Sequence, residues 1–391
     1  MRHPLSLLTI ILKKFFLAAL VAVLTILLCI PSCKPNEPTP PKDDEVYAGA
    51  PYIIYDTDIG SSTDDLFALG AIYYFAHYHK ECNLIGGIVC RMGEEYIRLA
   101  DIMNTYYGFG DIPMGVERHG VENPHAYIPY GGIADLKNAD GSLMFERSIS
   151  DYSALPEGWK LYRKLLADKP DNSVDIIAIG FMSSVAQLLE SEPDEYSDMN
   201  GVELVSKKVK GLYVMGGKFG EDLTKPGYNF GHKTAINFSI TLFKLWPHSV
   251  PIYFSPSLAG DYLDYAPDSV LNDLAWIEVN PIKQVYKNYN CETGQRMWDF
   301  YSAIMSLRSP VHYIGNQAPG IVTINKKEGT DEYEMIFTPD PEGYCYYQVL
   351  QTMPEPHAED IKWLKRGSTN EEFVRPMIHP TKERMSEGIR E

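Results

Sequence analysis

The sequence predicts an α/β fold: a mostly parallel central sheet with helices on both faces and a small antiparallel hairpin near the C-terminus. Short, continuous apolar runs are typical of strands that are buried on both faces, as the strands of parallel sheets are. Longer amphipathic stretches separate these runs, which favours helices that cross between parallel strands. From Gly320 onward polar and apolar residues alternate, which predicts antiparallel strands at an edge of the sheet.

Each element is predicted from its own run of residues. The first strand is PYIIY at 51–55, and the last strand of the parallel series is VPIYFS at 250–255. Between them, strands are predicted at 84–90, 174–179 and 211–215, and helices at 64–79, 94–107 and 183–190. The hairpin pairs IVTINKK with EYEMIF across a turn at Glu328-Gly329-Thr330. Ligands bind beyond the carboxyl ends of such strands, so functional residues are expected directly after them.

The N-terminal segment carries targeting signals. Residues 1–32 combine basic residues with an apolar run, which predicts a lipoprotein signal peptide. The tetrapeptide Ile30-Pro31-Ser32-Cys33 resembles a bacterial lipobox, so Cys33 is the expected lipidation site once the signal has been cleaved before it. The predicted location is the bacterial cell envelope, lipid-anchored at the outer membrane or on the periplasmic face. An uncleaved membrane anchor is the alternative.

Three further regions follow the signal. Residues 33–50 predict a Pro-rich tether, because proline and polar residues dominate them. Residues 51–355 predict a single α/β domain, and residues 356–391 a charged C-terminal extension.

The charge balance excludes one class of partner. The chain of 391 residues has a net charge of −17, and its first 32 residues contain three basic residues and no acid, so the remainder has 32 basic against 52 acidic residues. Such a chain has no basic block to displace counterions from nucleic acid. We therefore expect a small-molecule partner, no nucleic acid, and a membrane only through the lipid anchor. A homo-oligomer is compatible with this interpretation.

The cysteines give no metal signature. Cys82, Cys90, Cys291 and Cys345 lie outside the targeting segment and show no CxxC spacing, so a zinc site is not predicted. An oxidising compartment permits a disulfide, but the spacing does not assign a pairing.

Four carboxylates follow the first predicted strand within ten residues. Asp56, Asp58, Asp64 and Asp65 lie on the loop that leads into the first predicted helix. Their mutual repulsion in a poorly solvated crevice is costly unless a cation or bound protons offset it. All offer oxygen ligands, with no His or Cys nearby, so Ca²⁺ or Mg²⁺ fits best. Capping of the helix by Thr63 or Asp64 accounts for one acid, but not for Asp56 and Asp58.

Five segments, in this order, resemble the inosine–uridine-type nucleoside hydrolases. The acidic loop from Asp56 to Asp65 resembles the Asp-x-Asp-Pro-Gly-x-Asp-Asp signature of that family. The other four are Ile179-Gly180-Phe181-Met182-Ser183-Ser184, Val214-Met215-Gly216-Gly217, Tyr228-Asn229-Phe230 and Met297-Trp298-Asp299. The resemblance spans residues 51 to about 350, and it implies a nucleoside hydrolase-like fold with a Rossmann-like core.

The resemblance also implies a chemistry: calcium-dependent hydrolysis of the N-glycosidic bond of a nucleoside or related ribosyl compound. It assigns Ca²⁺ to Asp58, Asp65, Asp299 and the backbone carbonyl of Ser183. Asp58 is then also the general base for the attacking water. The residues expected at the substrate are Asp64, Glu221, Tyr228, Asn229 and Trp298, and Asp56 is expected to support the loop.

Three positions depart from the family pattern at the ribose. The Asn expected after the second strand has no counterpart in Cys90-Arg91-Met92-Gly93, the Glu expected two residues before Asn229 is Gly227, and the Asn expected eight residues before it is Glu221. Arg91 and Glu221 are candidates to supply contacts from other directions. Because lost hydrogen-bond partners lower affinity and discrimination, the alternative function is a non-catalytic sugar- or nucleoside-binding lipoprotein that retains the metal site.

Two further hypotheses concern a phosphatase activity and the acid that protonates the leaving base. Asp56-Thr57-Asp58 also fits the paired aspartates of haloacid-dehalogenase-type phosphatases, where the first Asp accepts a phosphoryl group and Mg²⁺ is bound. His119, His125 and His232 are candidate acids for the leaving base, although each is more typical of a surface or structural histidine.

Overall fold

The structure is a computed structural model that describes residues 49–60, 62–122, 129–219, 225–257, 264–265, 278–288, 295–308 and 319–347. Its strands are β1 (Tyr52–Thr57), β2 (Asn83–Arg91), β3 (Met114–Val121), β4 (Val174–Ala178), β5 (Val209–Met215), β6 (Ile252–Ser255), β7 (Asp264–Tyr265), β8 (Gln295–Arg296), β9 (Gly320–Lys326), β10 (Tyr333–Pro339) and β11 (Cys345–Tyr347). Its α-helices are α1 (Asp64–Tyr74), α2 (Glu94–Tyr106), α3 (Gly158–Ala167), α4 (Ser183–Glu190), α5 (Gly201–Lys208), α6 (Gly227–Gly231), α7 (Ile236–Leu245), α8 (Pro281–Asn288) and α9 (Trp298–Arg308).

Nine of these strands form one sheet in the order β10-β9-β11-β6-β5-β4-β1-β2-β3. The strands from β3 to β11 along this order are parallel, whereas β9 pairs antiparallel with both β11 and β10. The predicted mixed sheet and its hairpin near the C-terminus are therefore confirmed. β7 and β8 form a separate antiparallel pair.

Helices cover both faces of the sheet, as predicted. One core lies between the sheet and the helices α1, α2, α8 and α9, and the other lies between the sheet and α3, α4, α5 and α7. Neighbouring residues of β1 are divided between the two cores: Ile53 and Tyr55 belong to the first and Ile54 to the second. Both faces of β1 are buried, which explains why this strand is a continuous apolar run.

The first helix shows a local departure from the predicted helix over 64–79. The α-helix ends at Tyr74, and a π-helical turn continues from Phe75 to His79. Lys80 then adopts a left-handed conformation with φ of 56°, and its backbone N–H donates to the carbonyl of Phe75, which closes the turn.

Several sequence predictions lie outside the described residues. They are the signal peptide with Cys33, most of the tether, Glu221, His125, Cys291 and the C-terminal extension. Among the residues that are described, no helix is long and apolar enough to cross a membrane.

Candidate active site at the carboxyl edge of the sheet

The acidic loop lies where the order of strands reverses. β1 is flanked by β2 on one side and β4 on the other, so the connections on the two sides run in opposite directions and leave a crevice beyond the ends of β1 and β4. Gly180, just after β4, is close to the loop after β1: a Cβ there would lie 2.5 Å from the Asp58 nitrogen and 2.7 Å from Cys90 Sγ. Only glycine permits this approach.

Three carboxylates converge in this crevice. Each of Asp64, Asp65 and Asp299 offers an oxygen that lies within 4.8 Å of the oxygens of the other two, and all three side chains are buried. The backbone N–H of Asp299 donates to Asp64 Oδ2 at 3.0 Å, which joins the first turns of α1 and α9. Thr57 Oγ1 donates to Asp65 Oδ1 at 2.5 Å, and Ser62 Oγ donates to Asp64 Oδ1.

Burial makes the three carboxylates of Asp64, Asp65 and Asp299 costly to ionise. Burial raises the pKa of Asp64, Asp65 and Asp299, and the mutual repulsion of the carboxylates raises them further. Asp65 Oδ2 is buried and has no hydrogen-bond partner among the described residues. An oxygen-only donor set with a buried, unsatisfied carboxylate oxygen fits a hard divalent cation such as Ca²⁺ or Mg²⁺.

Asp58 lies beside these three carboxylates and forms an ion pair with Arg91. Its Oδ2 accepts a hydrogen bond from Arg91 Nη2 at 2.9 Å, and the two side chains are only 6% and 1% exposed. The guanidinium carbon of Arg91 lies 4.7 Å from the centre of the Tyr96 ring and 5.6 Å from that of Phe181. Burial alone lowers the pKa of Arg91, but Asp58, Tyr96 and Asp65 raise it overall, so the guanidinium stays charged.

Two further predicted residues are Asp56 at the end of β1 and Ser183 after β4. Asp56 is fully buried, and its Oδ2 accepts a hydrogen bond from Tyr162 OH at 2.9 Å. Burial raises the pKa of Asp56 to about 8. Ser183 is the first residue of α4, and its Oγ donates to the Cys90 carbonyl at 2.8 Å. A ligand role for the Ser183 carbonyl stays a prediction.

The position of Asp56 also bears on the phosphatase hypothesis. A phosphoryl-accepting Asp must face the substrate, yet Asp56 is 0% exposed and does not line the cavity described next. The geometry therefore argues against Asp56 as a nucleophile.

A cavity of about 570 Å³ opens above the carboxylates. It has the size of a small-molecule pocket, and its wall includes six residues predicted from the sequence. They are Asp58, Asp64, Tyr228, Asn229, Trp298 and Asp299. The wall also includes Lys218, Ser257 and Arg296, which were not predicted from the sequence. The available signals were that Lys218 and Ser257 follow strands β5 and β6 and that Arg296 lies just before Trp298.

The predicted substrate residues differ in how they are held. Asn229 is buried, and its Nδ2 donates to the Met215 carbonyl at 3.2 Å, which fixes the amide at the end of β5. Tyr228 is 41% exposed, and its ring centre lies 5.6 Å from that of Phe181. Trp298 is half-buried at the start of α9. Tyr228 and Trp298 therefore offer aromatic surface to a ligand, whereas the amide nitrogen of Asn229 is engaged with the backbone.

The histidines and cysteines that the structure describes do not line this cavity. His119 is 78% exposed and contacts Glu157, and His232 bonds with Thr234 beside the Tyr228 ring. Neither histidine lines the cavity. Cys82, Cys90 and Cys345 are buried free thiols.

Solved structures with a similar architecture include nucleoside hydrolases and a type III effector protein. The inosine–uridine-preferring nucleoside hydrolase from Bacillus anthracis is 13% identical, with a TM-score of 0.57 over 80% of this chain and 98% of its own. The purine-preferring ribonucleoside hydrolase from Gardnerella vaginalis is 14% identical, with a TM-score of 0.57 over 84% and 100%. The type III effector protein XopQ, complexed with adenosine diphosphate ribose, is 14% identical, with a TM-score of 0.54 over 85% and 94%.

Comparisons of the sequence add nothing to this result, because no protein family profile and no curated protein matches the chain. At 13–14% identity the structural similarity establishes the fold alone. The nucleoside hydrolase-like fold predicted from the sequence is confirmed.

Proposed function

We propose that this chain, which has the nucleoside hydrolase fold, is a cation-dependent hydrolase that cleaves the N-glycosidic bond of a nucleoside or related ribosyl compound. The convergence of Asp64, Asp65 and Asp299 beside the cavity carries the proposal. Two neighbours by fold are described as nucleoside hydrolases, and a third was solved with adenosine diphosphate ribose, which supports a ribosyl ligand.

Asp64, Asp65 and Asp299 would hold the cation, and Ca²⁺ is the proposed ion. When bound, a divalent cation supplies positive charge that orients a water molecule and lowers its pKa. It would also offset two of the three negative charges of these carboxylates, which burial otherwise makes costly to ionise. Asp58 and the Ser183 carbonyl as further ligands stay predictions.

Asp58 is the proposed general base. Its carboxylate lines the cavity, while its Oδ2 is held by Arg91 at 2.9 Å. This ion pair fixes the orientation of the carboxylate that would accept a proton from water in the cavity. Arg91 is thus a positioning residue in this scheme.

The rest of the cavity suits an N-glycosidic substrate. Asp64 and Asp299 place negative charge where positive charge develops on the sugar during bond cleavage, which stabilises the transition state. The partly exposed rings of Tyr228 and Trp298 can stack on the leaving base.

The alternative is a binding protein without catalysis. It is favoured by the buried Arg91–Asp58 ion pair, because a carboxylate paired with a cation is a weaker base. In this case the lipid-anchored protein would capture nucleosides or ribosyl compounds at the cell envelope.

Release of free base and ribose from a panel of nucleosides, by the purified mature protein, separates the two functions. We expect release by the wild type, and loss of at least about 100-fold in Asp58→Asn, as is typical when an acid–base group is removed. Asp140→Asn, which changes an exposed aspartate, is the matched control. Thermal stabilisation by nucleosides without any base release would favour the binding protein and contradict the hydrolase.

A further inference from the structure

We propose that Tyr130 is a positioning residue of the cation site: its phenol holds Ser62, and Ser62 in turn holds the carboxylate of Asp64. This inference rests on the proposed function, because it assigns a residue far from the acidic loop in sequence to the site that would bind the cation.

A chain of three hydrogen bonds leads from Tyr130 to the carboxylates. Tyr130 OH donates to the Ser62 carbonyl at 2.5 Å, across 68 residues of sequence. Ser62 lines the cavity, and its Oγ donates to Asp64 Oδ1. The other oxygen of Asp64, Oδ2, accepts from the backbone N–H of Asp299 at 3.0 Å. Since each carboxylate oxygen has two acceptor sites, Asp64 is oriented from both sides and can still bind a cation.

The backbone of Tyr130 is held in a conformation that bulky residues rarely adopt. Its φ is 46°, in the left-handed region. Among the described residues, Lys80 and Asn172 are the other two non-glycine residues with a positive φ, and neither is buried, whereas Tyr130 is 0% exposed. Such a conformation persists only where the surrounding structure imposes it, and it occurs preferentially at functional sites.

The surroundings of Tyr130 belong to elements outside the acidic loop. Tyr130 lies in a short 3₁₀ helix, Pro129–Asp135, and its carbonyl accepts from Asn288 Nδ2, at the end of α8, at 3.3 Å. Its ring belongs to the core that the sheet forms with α1, α2, α8 and α9. The phenol is therefore fixed independently of the loop that it contacts.

The acidic loop needs such a contact, because α1 begins without a side-chain cap. Thr63 is the N-cap residue, yet its side chain makes no capping hydrogen bond, and its Oγ1 is buried without a partner among the described residues. A capping side chain normally fixes the chain where it enters a helix. Here the residue before the N-cap, Ser62, is held by Tyr130 instead.

The consequence concerns the affinity for the cation. Partners that orient a metal ligand from behind strongly influence how tightly the metal is bound. Loss of the Tyr130 hydroxyl would leave Ser62 less well fixed, and Asp64 Oδ1 would lose part of its orientation. Asp65 keeps its own donor, Thr57 Oγ1, so the site should be weakened and not abolished.

The test is calorimetric titration of Ca²⁺ into chelator-treated mature protein. Tyr130→Phe keeps the buried ring and removes only the hydroxyl, so it should weaken Ca²⁺ binding by about three- to tenfold, the value of one hydrogen bond. Ser62→Ala removes the donor to Asp64 itself and should weaken binding by about tenfold or more.

Tyr73→Phe is the matched control. Tyr73 is 2% exposed, and its hydroxyl also donates to a neutral oxygen, Asn104 Oδ1 at 2.6 Å, but neither residue lines the cavity. This variant should bind Ca²⁺ as tightly as the wild type. If Tyr130 had only a structural role, Tyr130→Phe would behave in the same way, and that result would overturn the inference.

The double variant Tyr130→Phe/Ser62→Ala tests whether Tyr130 acts through Ser62. Once the Ser62 hydroxyl is absent, removal of the Tyr130 hydroxyl should weaken Ca²⁺ binding by less than about twofold further. Two losses that multiply in full would show that the residues act independently and would overturn the inference.

Base release from nucleosides separates failure of this inference from failure of the proposed function. Release by the wild type together with unchanged Ca²⁺ affinity in Tyr130→Phe would overturn the inference and leave the hydrolase in place. Weaker Ca²⁺ binding in Tyr130→Phe, without base release by the wild type, would support the inference and contradict the hydrolase.

Urea unfolding decides the inference if the wild type binds no Ca²⁺, a result that would contradict the proposed cation site. The variants are then Tyr130→Phe, Asp64→Asn and their combination. A coupling of about threefold or more in the unfolding constant would support Tyr130 as the residue that holds Asp64, and additive changes would overturn it.

Discussion

Replacement of Arg91 by methionine is the sharpest test of how the site is held together. Methionine keeps much of the apolar contact with Tyr96 and Phe181 but removes the charge that Asp58 contacts at 2.9 Å. Because the two side chains are 1% and 6% exposed, water can replace only a small part of the lost counter-charge. Removal of one partner from a buried ion pair costs about 3–5 kcal/mol, so Arg91→Met should lower the free energy of unfolding by about that amount.

The double variant Arg91→Met/Asp58→Asn separates this effect from loss of packing. With the carboxylate charge also removed, most of the lost free energy should return, and the two substitutions should therefore be strongly non-additive. Arg98→Met is the matched control, because Arg98 pairs with Glu94 on the surface, where both side chains are substantially exposed. That change should cost less than about 1 kcal/mol.

Urea unfolding of the wild type, Arg91→Met, Asp58→Asn, the double variant and Arg98→Met, in the presence of a chelator, measures these free energies from the midpoint at constant slope. A loss in Arg91→Met as small as that in Arg98→Met would refute the reasoning. So would a double variant that is destabilised by the sum of its two single substitutions.

Two further predictions concern other buried positions. Gly180→Ala places a Cβ 2.5 Å from the Asp58 nitrogen and 2.7 Å from Cys90 Sγ. The substitution should therefore lower the free energy of unfolding in urea by about 1–3 kcal/mol and weaken Ca²⁺ binding in calorimetry. Wild-type values in both measurements would contradict the close approach of these two loops. Burial raises the pKa of Asp175 to about 7, with Lys210 at 4.0 Å offsetting part of the effect. The native state therefore keeps a proton that the unfolded chain releases, so this contribution to stability, up to about 4 kcal/mol, is fully present below about pH 4 and is lost progressively as the pH rises to about 7. Asp175→Asn should flatten the fall in stability between about pH 4 and 7, and an unchanged fall would contradict this explanation.

The sequence predicts best those elements whose pattern of apolar and polar residues follows directly from how they are buried. β1 and β4 are buried on both faces, so their sequences are continuous apolar runs. In the β9–β10 hairpin polar and apolar residues alternate, because the hairpin lies at the edge of the sheet. β3 was missed, because this edge strand contains the polar run Glu117-Arg118-His119. α5 was missed although Asn200 and Glu203 form a capping box, a signal that is readable in the sequence.

The acidic part of the site could be anticipated because its residues are close in sequence or belong to recognisable segments. The ion pair between Asp58 and its partner Arg91 could not be anticipated in this way. Arg91 is 33 residues away, and its contact depends on the parallel register of β1 with β2, in which Asp56 is opposite Ile88 and Thr57 opposite Val89. When both faces of a strand are apolar, the sequence pattern does not determine that register. The basic residues of the cavity were missed for a similar reason, because their proximity arises only in the folded chain.

The central claim is that Asp64, Asp65 and Asp299 hold a cation that supports cleavage of an N-glycosidic bond. The most direct measurement is base release from a panel of nucleosides while Ca²⁺ is titrated into chelator-treated protein. We predict that release rises with Ca²⁺ to a plateau in the wild type and is absent at the same Ca²⁺ concentrations in Asp299→Asn. Release that is equally fast without the cation, or in Asp299→Asn, would contradict the claim.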